Sequence, residues 1–147
     1  MKKYDFRLKA LLKMCEHREK ERQKELAGSQ RKVNRQLEEL QKLDGQRSST
    51  YTKRLSAEQK PFTVAEMLVY SRYIHKLKRE SLMGEQMLSA FKEEEAKKRE
   101  KLLEATREKK KYEKLKEKER ENFYKEYNRQ LNLEADETAL TNFRRKK

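Results

Sequence analysis

Apolar residues recur at heptad spacing along two long stretches of the chain. In the first stretch, positions a and d, counted with Leu12 as a, are Leu8, Leu12, Cys15, Glu19, Arg22, Leu26, Ser29, Val33, Gln36, Leu40 and Leu43. Polar residues interrupt this series, but the steps from Leu26 to Val33 and on to Leu40 are regular. Because two apolar positions in seven form one narrow face of a helix, the pattern predicts a helix over about residues 4–55.

A second heptad series follows Pro61, the only proline among the 147 residues. Its apolar a and d positions include Met67, Tyr70, Ile74, Leu77, Leu88, Phe91, Leu102, Ala105, Tyr112, Phe123, Leu133 and Leu140. The series predicts a turn at about residues 56–63 and a second helix over about residues 64–140. A basic tail is expected at residues 141–147.

The start of the second helix carries a local capping pattern. The segment Thr63-Val64-Ala65-Glu66 fits a capping box, in which threonine and glutamate satisfy free backbone N–H groups at a helix N-terminus. Phe62 and Met67 stand where a hydrophobic staple would place them. The position of this pattern directly after the only proline makes a helix start here the expected outcome.

The two series together predict an all-α fold: two long helices in an antiparallel coiled-coil hairpin, with a longer C-terminal helix that overhangs. By length the chain forms a single coiled-coil domain over residues 1–147. Pairing outward from the turn leaves about 25 residues of the second helix unpaired. This overhang carries Phe123, Tyr124, Tyr127, Leu131, Leu133, Leu140 and Phe143. Since exposed apolar residues on a lone helix indicate a missing partner, we expect the overhang to bind another protein.

Composition decides between a helical rod and a disordered chain. Hydrophobic residues make up 33% of the sequence and charged residues 45%. So few apolar residues cannot offset the conformational entropy lost in building a globular core. A coiled-coil seam needs fewer of them, and the presence of only three glycines and one proline favours helix over disorder. Such a rod has no cleft for chemistry, which points to a mechanical or adhesive function.

The formal net charge of +14 has two interpretations. Glu and Lys are interleaved, so the charge could serve only to solvate the coiled coil. The alternative is a basic surface that attracts nucleic acid, a membrane or an acidic protein. Acidic residues interrupt almost every basic run, which argues against nucleic acid. A nucleic-acid-binding coiled coil and a self-associating structural protein stay open as alternative functions.

No group of residues in the sequence has the spacing of a catalytic, metal or cofactor site. His17 and His75 stand far apart, Cys15 is the only cysteine, and the three glycines are isolated. No Cys–His pair has zinc-ligand spacing. Carboxylates exposed on a rod keep ordinary acidity and make poor general acids or bases. We therefore expect no enzymatic activity, no metal, no cofactor and no small-molecule substrate.

The expected compartment follows from what the sequence lacks. The first residues have no apolar stretch of the kind that a signal peptide requires. No apolar run has the length of a membrane span. A lone cysteine excludes an intramolecular disulfide. These features are typical of a protein in the reducing cytoplasm.

Four segments, in order along the chain, carry a family resemblance. They are the apolar start at residues 6–12, Gln36-Leu37-Glu38-Glu39-Leu40, the aromatic stretch at residues 70–77, and Arg107-Glu108-Lys109-Lys110-Lys111 followed by Glu134-Ala135-Asp136-Glu137-Thr138-Ala139. In this order the chain resembles the FliJ family of bacterial flagellar type III protein export. The resemblance spans the whole chain, and the ending Asp136-Glu137 is its most telling element.

The resemblance implies a coiled coil similar to the stalk subunit of rotary ATPases. Such a protein binds and stimulates the hexameric flagellar export ATPase, and it contacts the cytoplasmic domain of the export gate and the export chaperones. It acts in the cytoplasm, peripheral to the inner-membrane export apparatus, in flagellum biogenesis and so in motility and chemotaxis. By the same analogy, the end with the termini enters the ATPase ring and the turn faces the gate.

The resemblance and the exposed overhang together lead us to expect two sets of contact residues. The positions that match the family's gate-contact face are Gln36, Leu40, Leu43, Arg47, Tyr73 and Leu77. Arg47 departs from this pattern, because an aromatic residue is expected there. The residues expected to contact the ATPase or a chaperone are Phe123, Tyr124, Tyr127, Asp136 and Glu137.

Overall fold

The computed structural model describes residues 4–145 and consists of two α-helices, α1 (Lys9–Glu58) and α2 (Val64–Arg145). No strand occurs within this described range. The two helices pack against each other and run antiparallel, which confirms the all-α prediction. Lys146 and Lys147, the last residues of the predicted basic tail, lie outside the described residues.

Contacts divide the chain into two compact units, and each unit contains parts of both helices. The hairpin unit is Arg22–Leu102 and includes the turn. The terminal unit combines Met1–Glu21 with Leu103–Lys147. The prediction of one coiled-coil domain over residues 1–147 stays a prediction, and the two units are described separately.

The helix boundaries differ from the predicted ones at both ends of the chain. Helix α1 begins at Lys9, not near Tyr4, and it ends at Glu58, three residues beyond the predicted end. Residues 4–8 leave the helical path, because Phe6 is buried at 4% exposure and its carbonyl accepts a bond from the Lys9 N–H at 3.1 Å. Helix α2 continues to Arg145, beyond the predicted end near residue 140.

The capping box predicted before α2 is present. The Glu66 carboxylate accepts the Thr63 N–H at 2.9 Å, and the Thr63 hydroxyl oxygen accepts the Glu66 N–H at 3.3 Å. The backbone hydrogen bond from Thr63 lowers the pKa of Glu66 below 4.5. Phe62 stacks on Tyr70, with the ring centroids 6.2 Å apart, and Met67 is 47% exposed. At the start of α2, side chains thus accept the backbone N–H groups of Thr63 and Glu66.

The buried residues follow the predicted heptads in each unit. In the hairpin unit they are Ser29, Val33, Thr50, Ile74, Leu77 and Gly84, and in the terminal unit they are Phe6, Leu12, Cys15 and Ala105. Except for Phe6, all of these stand at a or d positions of the two series. The seam is thus the only core that these units have among the described residues, and its polar positions require partners of their own.

Candidate partner-binding surfaces

The last part of α2 is fully exposed along its length. Every described residue from 128 to 145 is exposed, including the acidic pair Asp136 and Glu137. The large apolar side chains here are Leu131, Leu133, Leu140 and Phe143, with 43%, 54%, 62% and 66% of their surface exposed. Exposed apolar side chains of this size offer surface that a partner protein can cover.

An aromatic cluster marks the point where burial ends in the terminal unit. The Phe123 ring lies 5.7 Å from the Tyr4 ring, 5.6 Å from the Tyr124 ring and 6.4 Å from the Tyr127 ring, centroid to centroid. Phe123 and Tyr127 are half-buried, whereas Tyr124 is 52% exposed. Three predicted ATPase or chaperone contacts are therefore grouped in one place, and Tyr4 joins them.

The cluster continues along one face of α2 as an apolar stripe made of Phe123, Tyr124, Tyr127 and Leu131. Phe123, Tyr127 and Leu131 are four residues apart, and Tyr124 precedes Leu131 by seven, so all four share a face. Asp136 and Glu137 lie beyond the stripe on the exposed end of α2. Phe123 and Tyr127 are half-buried within the stripe, whereas Tyr124 and Leu131 are exposed and available for binding.

Tyr4 holds the non-helical residues 4–8 against α2. Its hydroxyl donates a hydrogen bond of 3.0 Å to the carbonyl oxygen of Lys116. Burial, with Glu119 nearby, raises the pKa of the Tyr4 hydroxyl above 10.0. The Tyr4 side chain thus covers the near end of the apolar stripe. Its hydroxyl is protonated at neutral pH and can donate this hydrogen bond.

A charged network crosses the seam of the terminal unit. The Glu19 carboxylate accepts hydrogen bonds from Thr106 at 2.9 Å and from Lys109 at 2.8 Å. The Lys109 ammonium also lies 3.7 Å from the Glu113 carboxylate. The hydrogen bond from Lys109 lowers the pKa of Glu19 below 4.5, and the same bond raises the pKa of Lys109 above 10.5. Both groups are charged at neutral pH and bind the two helices together.

In the hairpin unit, two of the predicted gate-contact residues point into the seam. The Gln36 side-chain amide donates a hydrogen bond of 3.2 Å to the carbonyl oxygen of Gly84. A Cβ atom at Gly84 would stand 2.8 Å from Leu40 Cδ2 and 3.0 Å from Gln36 Nε2. The absence of a side chain at this d position lets Gln36 and Leu40 approach the backbone of α2.

The other four predicted gate contacts divide into buried and accessible residues. Leu77 is buried at 2% exposure, and Leu43 is half-buried in the seam. Arg47 is half-buried and its guanidinium donates to the Asp44 carboxylate at 2.6 Å. Tyr73 is 41% exposed and lines a shallow groove. The groove is formed by Lys42, Gly45, Gln46, Ser49, Thr50, Lys53 and Tyr73. The structure therefore leaves Tyr73 accessible and encloses Leu77.

Comparison with protein-family models matched residues 3–147 to the family described as the flagellar FliJ protein. The chain belongs to the FliJ family. The match covers nearly the whole sequence and confirms the resemblance found in the four sequence segments. No curated protein and no solved structure matched the chain.

Membership of the FliJ family assigns this chain to the flagellar export machinery. FliJ is a family of structural or export components rather than of catalysts. Within residues 4–145 no helix is long and apolar enough to cross a membrane. In the same part of the chain, no three His, Cys, Asp or Glu side chains are grouped so that they could hold a metal ion.

Sequence reasoning missed two residues that shape the surfaces of this FliJ-family chain. The predicted first helix was continued back to Tyr4, and this helical assignment gave no sign of the contacts that Tyr4 makes with α2. Gly84 occupies a d position of the second series, and a glycine at such a position was the signal that the helices approach closely there. Both residues act through tertiary contacts between segments far apart in the sequence.

Proposed function

We propose that this chain is a stalk-like coiled coil that binds the hexameric flagellar export ATPase through its terminal unit and stimulates ATP hydrolysis. The observation that supports the proposal best is the apolar stripe, whose far end at Leu131 is exposed although the composition of the chain is poor in apolar residues. Aromatic side chains such as Tyr124 supply large contact areas at low entropic cost and dominate many interfaces. Asp136 and Glu137 add exposed negative charge for a basic surface on the partner.

The charged surface of α2 suits a stalk that contacts several subunits of a ring. Lys, Arg and Glu side chains cover the exposed faces between the apolar positions. Exposed ion pairs between α2 and a ring subunit would each contribute only about 0–1 kcal/mol to binding, so they would not fix the stalk to one subunit. The apolar stripe then provides the attraction, and the charged faces keep the remaining contacts weak.

The test uses the purified export ATPase of the same flagellar system. Adding the wild-type chain should increase the rate of ATP hydrolysis, and the two proteins should co-elute. Tyr124→Ala and Leu131→Ala should each weaken binding about tenfold, as expected of residues in an interface hot spot. The matched control is Leu82→Ala, which truncates an exposed leucine of α2 in the hairpin unit and should leave binding unchanged.

Two results would contradict the ATPase assignment. The first is equal stimulation by the wild-type chain and by a chain with both Tyr124→Ala and Leu131→Ala. The second is a stable dimer of the isolated chain at low micromolar concentration that the same two substitutions dissociate, because the stripe would then serve self-association. Sedimentation velocity distinguishes a dimer from a monomer in this size range.

We also propose that the hairpin unit contacts the cytoplasmic domain of the export gate through the exposed side chain of Tyr73, with Arg47 and Leu43 as further contacts. Gln36, Leu40 and Leu77 contribute indirectly, because they hold the seam together beneath this surface. Export chaperones bind the same apolar stripe as the ATPase in this proposal. The chain then acts in the cytoplasm, peripheral to the inner-membrane export apparatus, in flagellum biogenesis, motility and chemotaxis.

The gate contact is tested by titrating the isolated gate domain with labelled chain. Tyr73→Ala should weaken binding several-fold. Tyr51→Ala is a suitable control, since Tyr51 belongs to the same unit and is 38% exposed, close to the 41% of Tyr73. An equal effect of the two substitutions would remove the assignment of the contact to Tyr73.

A further inference from the structure

The first described residues cover part of the surface assigned above to the ATPase. Tyr4 contacts the Phe123 ring, and its hydroxyl is bonded to the Lys116 carbonyl oxygen. Phe6, two residues later, is buried and anchors the segment where α1 begins. Residues 4–8 therefore form a short non-helical strap across the near end of the apolar stripe.

The contact between Tyr4 and Lys116 can be broken without leaving an orphaned backbone group. Lys116 lies inside α2, where its carbonyl also belongs to the helical hydrogen-bond series. The phenol of Tyr4 is near the protein surface, so after release it hydrogen-bonds to water. Because an exchange of protein for water partners has a small net free energy, loss of this hydrogen bond adds little to the cost of moving the Tyr4 ring away from Phe123.

The surface beneath the strap does not depend on Tyr4 for its form. Phe123 stacks on Tyr127 with an interplanar angle of 7°, and it meets Tyr124 edge to face at 81°. All three residues belong to the continuous helix α2. Release of Tyr4 therefore exposes an aromatic surface that is already ordered, rather than one that must first assemble.

The covered and open parts of the stripe are continuous. Leu131 and Tyr124 are exposed, whereas Phe123, four residues before Tyr127, lies against Tyr4. A partner that lies along α2 from Leu131 toward Phe123 meets the Tyr4 ring at the end of the stripe. It gains the remaining aromatic surface only when Tyr4 moves away.

We propose that residues 4–8 are an autoinhibitory strap, and that the export ATPase binds the whole apolar stripe in competition with Tyr4. The inference rests on the proposed function for the identity of the partner. In the free chain the strap is closed, so the ATPase finds the exposed side chains of Tyr124 and Leu131 but not the part of Phe123 that Tyr4 covers. Binding that needs the open form is weakened by the fraction of chains that are closed.

The experiment measures the affinity of the export ATPase for three variants by fluorescence titration, after circular dichroism shows that each is helical. Tyr4→Ala removes the ring and the hydroxyl and should tighten binding by roughly three- to tenfold, as expected for loss of one aromatic contact and one hydrogen bond. Tyr4→Phe keeps the ring and removes only the hydroxyl, so its gain should be smaller. Phe123→Ala removes surface that the partner uses and should weaken binding.

A second measurement follows the strap directly. In the free chain, NMR cross-peaks should connect the rings of Tyr4 and Phe123, and these cross-peaks should disappear when the ATPase is added. Unchanged or weaker binding of Tyr4→Ala, or persistence of the cross-peaks in the complex, would overturn the strap.

Failure of the strap can be distinguished from failure of the proposed function. If Phe123→Ala weakens binding although Tyr4→Ala does not tighten it, the ATPase assignment stands and the strap alone is wrong. If neither the Phe123 nor the Leu131 substitution affects binding, the proposed function is wrong as well.

Discussion

The side-chain amide of Gln36 donates a hydrogen bond of 3.2 Å to the carbonyl oxygen of Gly84, where the two helices of the hairpin unit approach closely. Leu40 packs over the same glycine, because a Cβ atom there would stand only 2.8 Å from Leu40 Cδ2. A polar side chain and a glycine thus replace the usual pair of apolar residues at this level of the seam. The arrangement predicts unequal responses of the three glycines to substitution by alanine.

Gly84→Ala should lower the free energy of unfolding by about 1 kcal/mol. Displacing Leu40 and breaking the Gln36 hydrogen bond costs about 1–3 kcal/mol, which exceeds the gain of about 1 kcal/mol in helix propensity. Gly28→Ala and Gly45→Ala are matched controls, since apart from the neighbouring residues and the local helix backbone no atom lies within 4 Å of the added Cβ at either site. These two should stabilise the chain. Urea unfolding measures all three, and equal stabilisation by Gly84→Ala would show that the helices do not meet there.

Glu19→Gln should lower the free energy of unfolding at neutral pH by about 1–3 kcal/mol, because the Glu19 carboxylate accepts a charged hydrogen bond from Lys109 across the seam. The control is Glu108→Gln, which breaks an exposed pair with Arg18 and should cost less than about 1 kcal/mol. Urea unfolding at pH 7 measures both. Equal losses of stability in Glu19→Gln and Glu108→Gln would indicate that the position of Glu19 in the seam does not strengthen its ion pair.

The lowered pKa of the Glu19 carboxyl also predicts how the difference in stability between the wild-type chain and Glu19→Gln changes with pH. Its pKa in the folded chain is below the ordinary value of 4.5, so the unfolded chain takes up a proton first as the pH falls. The stabilisation is therefore complete above pH 4.5 and is lost as the pH falls through the lowered pKa. The wild-type chain and Glu19→Gln should converge in stability on acidification. On the alkaline side, the raised pKa of Lys109 holds the stabilisation until the pH rises past 10.5.

Leu77→Ala should lower the free energy of unfolding by about 2–5 kcal/mol, since Leu77 is the most enclosed large side chain of the seam at 2% exposure. Leu82→Ala, at 58% exposure on the same helix, should change it by less than about 0.5 kcal/mol. Thermal unfolding followed by circular dichroism compares the two. A mild effect of Leu77→Ala would show that Leu77 contributes little to the packing of the seam.

Thr63→Ala should destabilise the start of α2 by about 1 kcal/mol, because it removes the hydroxyl that accepts the Glu66 N–H. Thr52→Ala provides the comparison, since the Thr52 hydroxyl only donates to the Ser48 carbonyl inside α1. Alanine is a better helix former than threonine, so Thr52→Ala should leave stability unchanged or slightly raised. Hydrogen exchange of the amides of residues 64–67 localises the loss in Thr63→Ala.

The heptad periodicity predicted both helices and the seam, because buried positions in a coiled coil recur every seven residues. Ile74, Leu77, Val33 and Ala105 are all buried as their heptad positions require. The capping box at Thr63 is equally local, and the sequence alone was sufficient to place the start of α2 at Val64.

The same reasoning could not place side chains whose contacts depend on segments far apart in the chain. Helical periodicity continued the first helix back to Tyr4, but the burial of Phe6 and the contact of Tyr4 with Phe123 take these residues out of the helix. The family resemblance marked Leu77 as a contact residue, although its seam position encloses it. Which seam residues remain accessible is decided by packing, and a heptad pattern does not report packing distances.

The close approach at Gly84 has a mechanical consequence for the hairpin unit. Two helices with a uniform apolar seam can slip past each other by one heptad and regain nearly equal contacts. Slippage here would move Gln36 from Gly84 to the level of Leu77 or Phe91, where a large side chain stands instead of an open backbone. Polar residues in a seam select one alignment in this way. Axial force on one helix would thus be transmitted to the other rather than dissipated by sliding.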